Sequence, residues 1–268
     1  MAKLFIIFIN YQYFYKWKLP AYMKKPIFLL FIVTLIAVQI IAQPSASKFS
    51  AEVLIGGSFP VGKFGDKSVS QLYANEFSGW AEPGPAVQLS LNYRLGTLYG
   101  ISLVFGGQEN KEDANSLNDF YNGAVGGSDT YSTNPDQWKI GRILAGGYLR
   151  IPVSNSNNVF LQPKLLAGIL KTGIPGYSLT ISTMSNGMLV DEGTEKLPSV
   201  SLPWAFCYQL GAGLAWDLTP RTSLSLDMNY FHSEPSSKNT AYASQSLGNG
   251  TKFPVAGINL MAGAGIRF

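Results

Sequence analysis

Residues of one character recur at every second position along several stretches of this chain. Trp204, Phe206, Tyr208, Leu210, Ala212, Leu214, Trp216 and Leu218 are apolar or aromatic, and the residues between them, Ala205, Cys207, Gln209, Gly211, Gly213, Ala215 and Asp217, are small or polar. Leu224, Leu226, Met228 and Tyr230 alternate with Ser223, Ser225, Asp227 and Asn229, and Val87, Leu89, Leu91 and Tyr93 with Gln88, Ser90, Asn92 and Arg94. The last segment sets Ile258, Leu260, Ala262, Ala264, Ile266 and Phe268 against Gly257, Asn259, Met261, Gly263, Gly265 and Arg267. A period of two is a strand with two unlike faces, and no stretch sustains the 3.6-residue period of a helix. The pattern predicts eight strands, at about 49–60, 84–95, 98–107, 138–152, 158–173, 204–218, 222–233 and 254–268. The first is placed by spacing, because its alternation is weak.

The connections sort into two kinds. Leu95-Gly96-Thr97, Ser154-Asn155-Ser156-Asn157 and Thr219-Pro220-Arg221 are tight turns built from turn-forming residues. The others are polar stretches of roughly 20–30 residues, long for a compact soluble domain. Alternating long and short connections between strands of membrane-crossing length describe an all-β protein, a closed antiparallel up-and-down transmembrane β-barrel. In lipid no backbone N–H or C=O can be left unpaired, so the sheet must close, with the last strand on the first. Eight strands are expected, and ten is the alternative, since 108–137 or 176–203 leaves room for a further hairpin.

The even-numbered strands end alike. Each places a charge on the inner parity, Arg94, Arg150, Asp217 and Arg267, while Tyr93, Trp216 and Phe268 fall on the outer parity, where an interfacial aromatic girdle belongs. Glu52, Asp217 and Asp227 are expected to pair with Arg94, Arg142, Arg150, Lys164 and Arg267 in a lumenal charge network, because buried charges must be compensated.

Composition narrows the chemistry. One Cys and one His exclude a disulfide framework and any multi-Cys or poly-His metal site. No phosphate loop or dinucleotide fingerprint is present, so no cofactor is expected. The formal charge of +4 comes from residues 1–42, which hold five Lys and no acid, and the rest has 15 Lys and Arg against 16 Asp and Glu. A nucleic-acid partner therefore lacks its electrostatic footprint. Met23-Lys24-Lys25 before the apolar run Ile27–Ile41 reads as a signal peptide over 23–42, exporting a mature chain Gln43–Phe268. Residues 1–22 fit no export pattern and are expected to be a spurious extension upstream of a start at Met23.

The signal segment, the eight amphipathic strands, the loop alternation and the ending Gly265-Ile266-Arg267-Phe268 resemble the small outer-membrane β-barrel family of Gram-negative bacteria, of OmpX, OmpA-barrel and opacity-protein type. Gly56-Gly57-Ser58-Phe59-Pro60-Val61-Gly62-Lys63-Phe64 resembles the first strand and following loop of such barrels. The resemblance implies an outer-membrane location, contact with outer-membrane lipid and lipopolysaccharide, and recognition of Phe268 as the terminal signal by the barrel-assembly machinery.

Candidate chemistry is sparse. His232, Ser233 and Glu234 have the residue types of a hydrolytic triad, as in lipid A deacylases, which are similar barrels with the Ser two positions after the His. Here Glu234 takes that position, so Ser233 is expected on the opposite face. Cys207 is expected to be a small buried residue. Residues 106–137 carry Glu109, Glu112, Asp113, Asp119, Asp129 and Asp136 against Lys111, with Phe120, Tyr121 and Tyr131 among them, an acidic external loop suited to a partner or a divalent ion. Three functions are compatible with the whole: a non-enzymatic surface or structural barrel acting through its loops, a narrow pore for small solutes, and a lipid-modifying hydrolase centred on His232.

Overall fold

Alternation with a period of two builds a wall in which one set of side chains faces in and the other faces out. The computed structural model describes residues 48–68, 78–125, 129–153, 158–185, 188–236 and 252–268. The expected signal segment and the extension before it lie outside the described residues. In chain order the elements are β1 (Phe49–Pro60), β2 (Gly84–Arg94), β3 (Tyr99–Lys111), α1 (Ala114–Val125), β4 (Asp129–Pro135), β5 (Gln137–Leu149), β6 (Ile151–Pro152), β7 (Val159–Lys171), β8 (Gly173–Ile174), β9 (Tyr177–Ser185), β10 (Met188–Leu197), β11 (Val200–Ser201), β12 (Ala205–Asp217), β13 (Thr222–Ser233) and β14 (Val255–Arg267), with a single 3-10 turn at Gly62–Phe64.

Eight of these strands close a barrel in the order β12-β13-β14-β1-β2-β3-β5-β7, with β7 paired back to β12 and the short β6 at the rim. The last strand meets the first along its length, from Ser50↔Arg267 to Pro60↔Gly257. Every pairing in the wall is antiparallel, so main-chain groups are satisfied around the ring. The barrel strands are 11 to 13 residues long, enough to cross a hydrocarbon layer that needs about 9–11 tilted residues.

The parity is unambiguous. Ile55, Leu165, Phe206 and Leu226 are exposed on the outside, whereas Leu54, Gln209 and Asn229 on the inside have no exposed surface. Large aliphatic and aromatic groups facing outward while glutamine and asparagine face inward invert the soluble pattern, and hydrocarbon is the solvent that such an exterior suits.

The count of eight strands holds against the alternative of ten, and one expectation, that no stretch is helical, is corrected. The barrel has eight strands, not ten: the region 176–203 does hold a hairpin, β9–β10, but it joins β4 in a separate three-stranded sheet ordered β10-β9-β4. These strands continue β5, β7 and β12 beyond the long-loop end, so they stand on the wall without adding to its circumference. The connection after β3 is also not irregular throughout, since α1 occupies Ala114–Val125. Its start is set by Asp113, whose Oδ1 accepts from the Asn115 N–H at 3.1 Å and whose Oδ2 accepts from the Ser116 hydroxyl at 3.1 Å, the bonding of an N-cap.

Candidate functional site: the filled lumen and the sheet above it

The inward residues form three tiers. At the short-turn end Asp217 joins two arginines: Arg150 Nη2 lies 2.5 Å and Arg267 Nη1 2.8 Å from its Oδ2, and Arg267 Nη2 holds Oδ1. The Arg150 guanidinium also lies 3.4 Å from the centre of the Phe160 ring. Slightly higher, Lys164 Nζ lies 2.5 Å from Asp227 Oδ2 and 3.9 Å from Glu52 Oε2. Gly213 makes room for that pair, since a methyl there would fall on Asp227 Oδ1.

Between these ion pairs lies a cavity of about 30 Å³ lined by Glu52, Arg94, Tyr148, Arg150, Gln162 and Arg267 among others. That volume holds about one or two waters. Arg142 sits apart from the ion pairs: its guanidinium lies 3.9 Å from the centre of the Phe231 ring and has no carboxylate partner among the described residues. Cys207 is buried nearby in an apolar cluster.

The middle tier is uncharged and mainly polar, with the small apolar cluster Leu54, Ala86 and Met261 beside its amides. Gln88, Gln209, Asn229 and Asn259 are buried there. Gln88 donates to the Ser90 hydroxyl at 3.0 Å, and Asn259 reaches Gln108 at 3.4 Å.

The third tier, at the long-loop end, is an apolar plug that the alternation did not announce. Phe64, carried inward by the turn after β1, meets Trp138 edge-on at 5.3 Å between ring centres. Leu170, Phe231 and Val255 pack in the same cluster. The Trp138 indole N–H donates to the Gly79 carbonyl at 3.0 Å, which ties the plug to the loop between β1 and β2. The signal for this tier was the Phe64 that ends the glycine-rich first segment.

The remaining sequence candidates fall as follows. His232 lies on the outer face, 5.5 Å from the Tyr208 ring centre, with Nε2 3.6 Å from Glu234 Oε1. Glu234 is bonded at 2.9 Å by Lys252. Ser233 points inward and donates to the Phe206 carbonyl at 2.8 Å. His232 and Ser233 thus lie on opposite sides of the wall, and these three residues do not assemble as a triad. Phe268 stacks on Phe49 at 5.5 Å, and its N–H donates to the Phe49 carbonyl at 3.0 Å, so it seals the seam of first and last strands.

Among the acids of residues 106–137, Asp113 binds Lys67 at 2.6 Å and Asp129 accepts from Thr183 at 2.9 Å. Glu112 is buried, and burial first and Asp136 second push its carboxyl up to about 8. Among the described residues no three His, Cys, Asp or Glu are grouped to hold a metal ion.

Above the plug stands the sheet β10-β9-β4. Helix α1 packs on β4, where Asn122 and Asn118 bond the main chain of Tyr131 and Thr133. Tyr121, Tyr131 and Tyr177 cluster beneath the helix, and the Tyr121 and Tyr177 hydroxyls are bonded to each other. Sequence reasoning missed this assembly.

No protein-family model and no curated protein matches the chain. Solved structures with similar folds include neisserial surface protein A, with 12% identity, a TM-score of 0.40, and coverage of 83% of this chain and 98% of that one. They also include Ail, the attachment invasion locus protein of Yersinia pestis, with 16% identity, a TM-score of 0.39, and coverage of 82% and 99%. A third is the N-terminal β-barrel domain of Pseudomonas aeruginosa OprF, with 11% identity, a TM-score of 0.33, and coverage of 82% and 97%. The architecture assigned to this chain rests on its own strand pairings: a closed eight-stranded antiparallel barrel with an apolar exterior, a filled interior and a sheet raised on its long-loop rim.

Proposed function

We propose that this chain is an integral outer-membrane barrel that acts at the cell surface through the raised sheet, with its lumen serving as a scaffold. The filled lumen carries this reading. Ion pairs occupy the short-turn end, amides the middle and aromatic and aliphatic groups the loop end, and the cavity of about 30 Å³ is too small for a solute. Eight-stranded barrels are in general narrow enough for side chains to fill. The long-loop end carries the structured element, and loops raised on a rigid frame are where binding residues concentrate. Lipid and lipopolysaccharide would contact the apolar exterior, and the assembly machinery would read Phe268 at the seam.

A narrow pore is the second reading. It is favoured by the lumenal charge, since Arg94, Arg142, Arg150, Lys164 and Arg267 outnumber Glu52, Asp217 and Asp227, a balance that would select anions. Planar-bilayer recording separates the two. The surface reading expects no discrete conductance steps from purified barrel and loss of cell-surface binding when residues 177–198 are replaced by a short Gly-Ser turn. Steps that prefer anions, with surface binding intact after the replacement, would establish the pore instead.

A further inference from the structure

We infer that the outer edge of β10 is a docking strand for an extended, basic peptide segment. The inference rests on the surface reading above and names the partner of the raised sheet.

The sheet has two edges, and they differ. On the β4 edge, α1 supplies side chains in place of a neighbouring strand: the Tyr131 N–H donates to Asn122 Oδ1 at 2.8 Å, Asn122 Nδ2 donates to the Tyr131 carbonyl at 3.1 Å, and the Thr133 N–H donates to Asn118 Oδ1 at 2.6 Å. Positions i and i+4 on a helix are about 6 Å apart along its axis, and alternate strand residues are separated by about 6.8 Å. Two asparagines one turn apart therefore match two successive outward main-chain positions. This edge is closed by design of the sequence.

The β10 edge is not. β10 is the terminal strand of the sheet, and Met188 through Lys196 are all exposed. Among the described residues nothing pairs with its outer side. A row of unpaired N–H and C=O groups is a template on which an extended peptide adds a strand.

Charge selects the occupant. β10 carries Asp191, Glu192 and Glu195 against Lys196. A second copy of this strand would set acid near acid and be repelled, whereas lysine or arginine on an incoming strand would sit opposite the carboxylates. The register shift between Asp191 and Gly193 bends the edge, which further discourages stacking of copies. At the distal end Met184, Met188, Leu189 and Val190 are 57%, 70%, 59% and 50% exposed. The partner is thus an extended segment with basic residues beside Asp191–Glu195 and apolar residues beside Met188–Val190.

Hydrogen–deuterium exchange at the β10 amides tests this in the full barrel held in neutral lipid nanodiscs. The probe is a short synthetic peptide with consecutive lysines in one half and valines in the other. Exchange at the outward-facing amides of 188–197, those not bonded to β9, is expected to be fast in the free barrel and to slow about tenfold or more with the peptide bound. The same peptide N-methylated on alternate backbone nitrogens should give no slowing, nor should a version with glutamate for lysine. Asp191→Lys with Glu195→Lys should exchange the preference, losing the lysine peptide and gaining the glutamate one. Slow exchange at those outward-facing amides in the free barrel would mean that the chain already covers this edge, and would overturn the inference. So would equal slowing by the N-methylated peptide, or protection of Met188–Val190 by added neutral vesicles alone, which would assign the tip to a lipid surface. If replacing residues 177–198 leaves surface binding intact, the surface reading fails. If that replacement abolishes binding but the charge-reversed variant retains it, only the β10 inference fails.

Discussion

Asn122 holds the main chain of Tyr131 at both of its polar groups, accepting from the N–H at 2.8 Å and donating to the carbonyl at 3.1 Å. The side-chain amide takes the place of a neighbouring strand. A net contribution of about 1 kcal/mol per hydrogen bond is typical, so Asn122→Ala should ease local opening of β4 by ~1–2 kcal/mol. The expected outcome is roughly tenfold faster amide exchange at Tyr131, with a smaller effect at Thr133, which Asn118 holds independently. The urea midpoint of the barrel should not move, because these residues stand outside the wall. Unchanged exchange at Tyr131 would show that the helix is not what closes this edge.

The Lys164–Asp227 pair bears on stability. Both side chains are almost fully buried, at 4% and 1% exposure. Removing one partner of a buried pair leaves a charge without compensation and costs about 3–5 kcal/mol. Asp227→Ala should approach that loss, moderated by Glu52, which stands 3.9 Å from Lys164 Nζ. Adding Lys164→Met together with Glu52→Gln removes the stranded charge without leaving the Glu52 carboxylate unpaired, and should recover most of the loss. The measurement is the urea midpoint of barrel refolded in lipid vesicles. A triple variant as unstable as the single one would mean that the pair acts through packing beside Gly213 and not through charge.

Position 226 against position 229 shows what parity can and cannot tell. Alternation alone puts Leu226 toward lipid and Asn229 toward the lumen, and Leu226 is 58% exposed where Asn229 is fully buried. Leu226→Arg should therefore cost ~2–4 kcal/mol near the membrane midplane. Polarity alone would admit Asn229→Lys. Packing does not: a methyl on the facing Gly211 would already collide with Asn229 Oδ1, so the lysine has no room. Both substitutions should lower the urea midpoint, and Asn229→Ser should be tolerated. Leu226→Arg without effect would put that side chain inside.

What was legible follows from the same distinction. A two-residue period fixes which side of the wall a residue takes, and the eight strands and their closure rest on that alone. It does not fix height along the barrel axis. Arg142 and Lys164 share an inner face, but Arg142 pairs in register with Leu170 and Lys164 with Tyr148, several rungs nearer the short turns. The carboxylates lie at the lower rungs, so Arg142 finds Phe231 instead. The raised sheet escaped for another reason. Its buried positions, Tyr131, Thr133 and Leu179, alternate with serine, threonine and asparagine over too few residues to stand out from a polar loop. The α1 start was readable locally, since Asp113 and Ser116 have N-cap spacing and Ala114, Leu117, Phe120 and Tyr121 share one helical face, but 12 residues inside a long polar connection are too few to stand out against the two-residue period of the rest.

Glu112 makes the loop cap pH-dependent. Burial and the neighbouring Asp136 raise its carboxyl from 4.5 to about 8. The closed form therefore binds the proton more tightly than the open one. Its advantage is complete below the ordinary carboxylate value, declines as pH rises from 4.5 toward 8, and stays at its lowest above that. The slope reaches at most about 1.4 kcal/mol per pH unit. Asp113 next to it behaves oppositely. Burial pushes its carboxyl up, but bonds from Lys67, Ser116 and Asn115 outweigh that and hold it low, so its contribution is lost only in more acid solution. The Asp113 N–H, which donates to the Trp80 carbonyl at 2.8 Å, reports on the cap. Its exchange protection, corrected for base catalysis, should fall across the Glu112 window and then level. Glu112→Gln keeps the shape without the titration, so it should flatten the fall and leave the cap tighter than the native one at and above about pH 8. Protection that falls equally in both proteins would place the titrating group elsewhere.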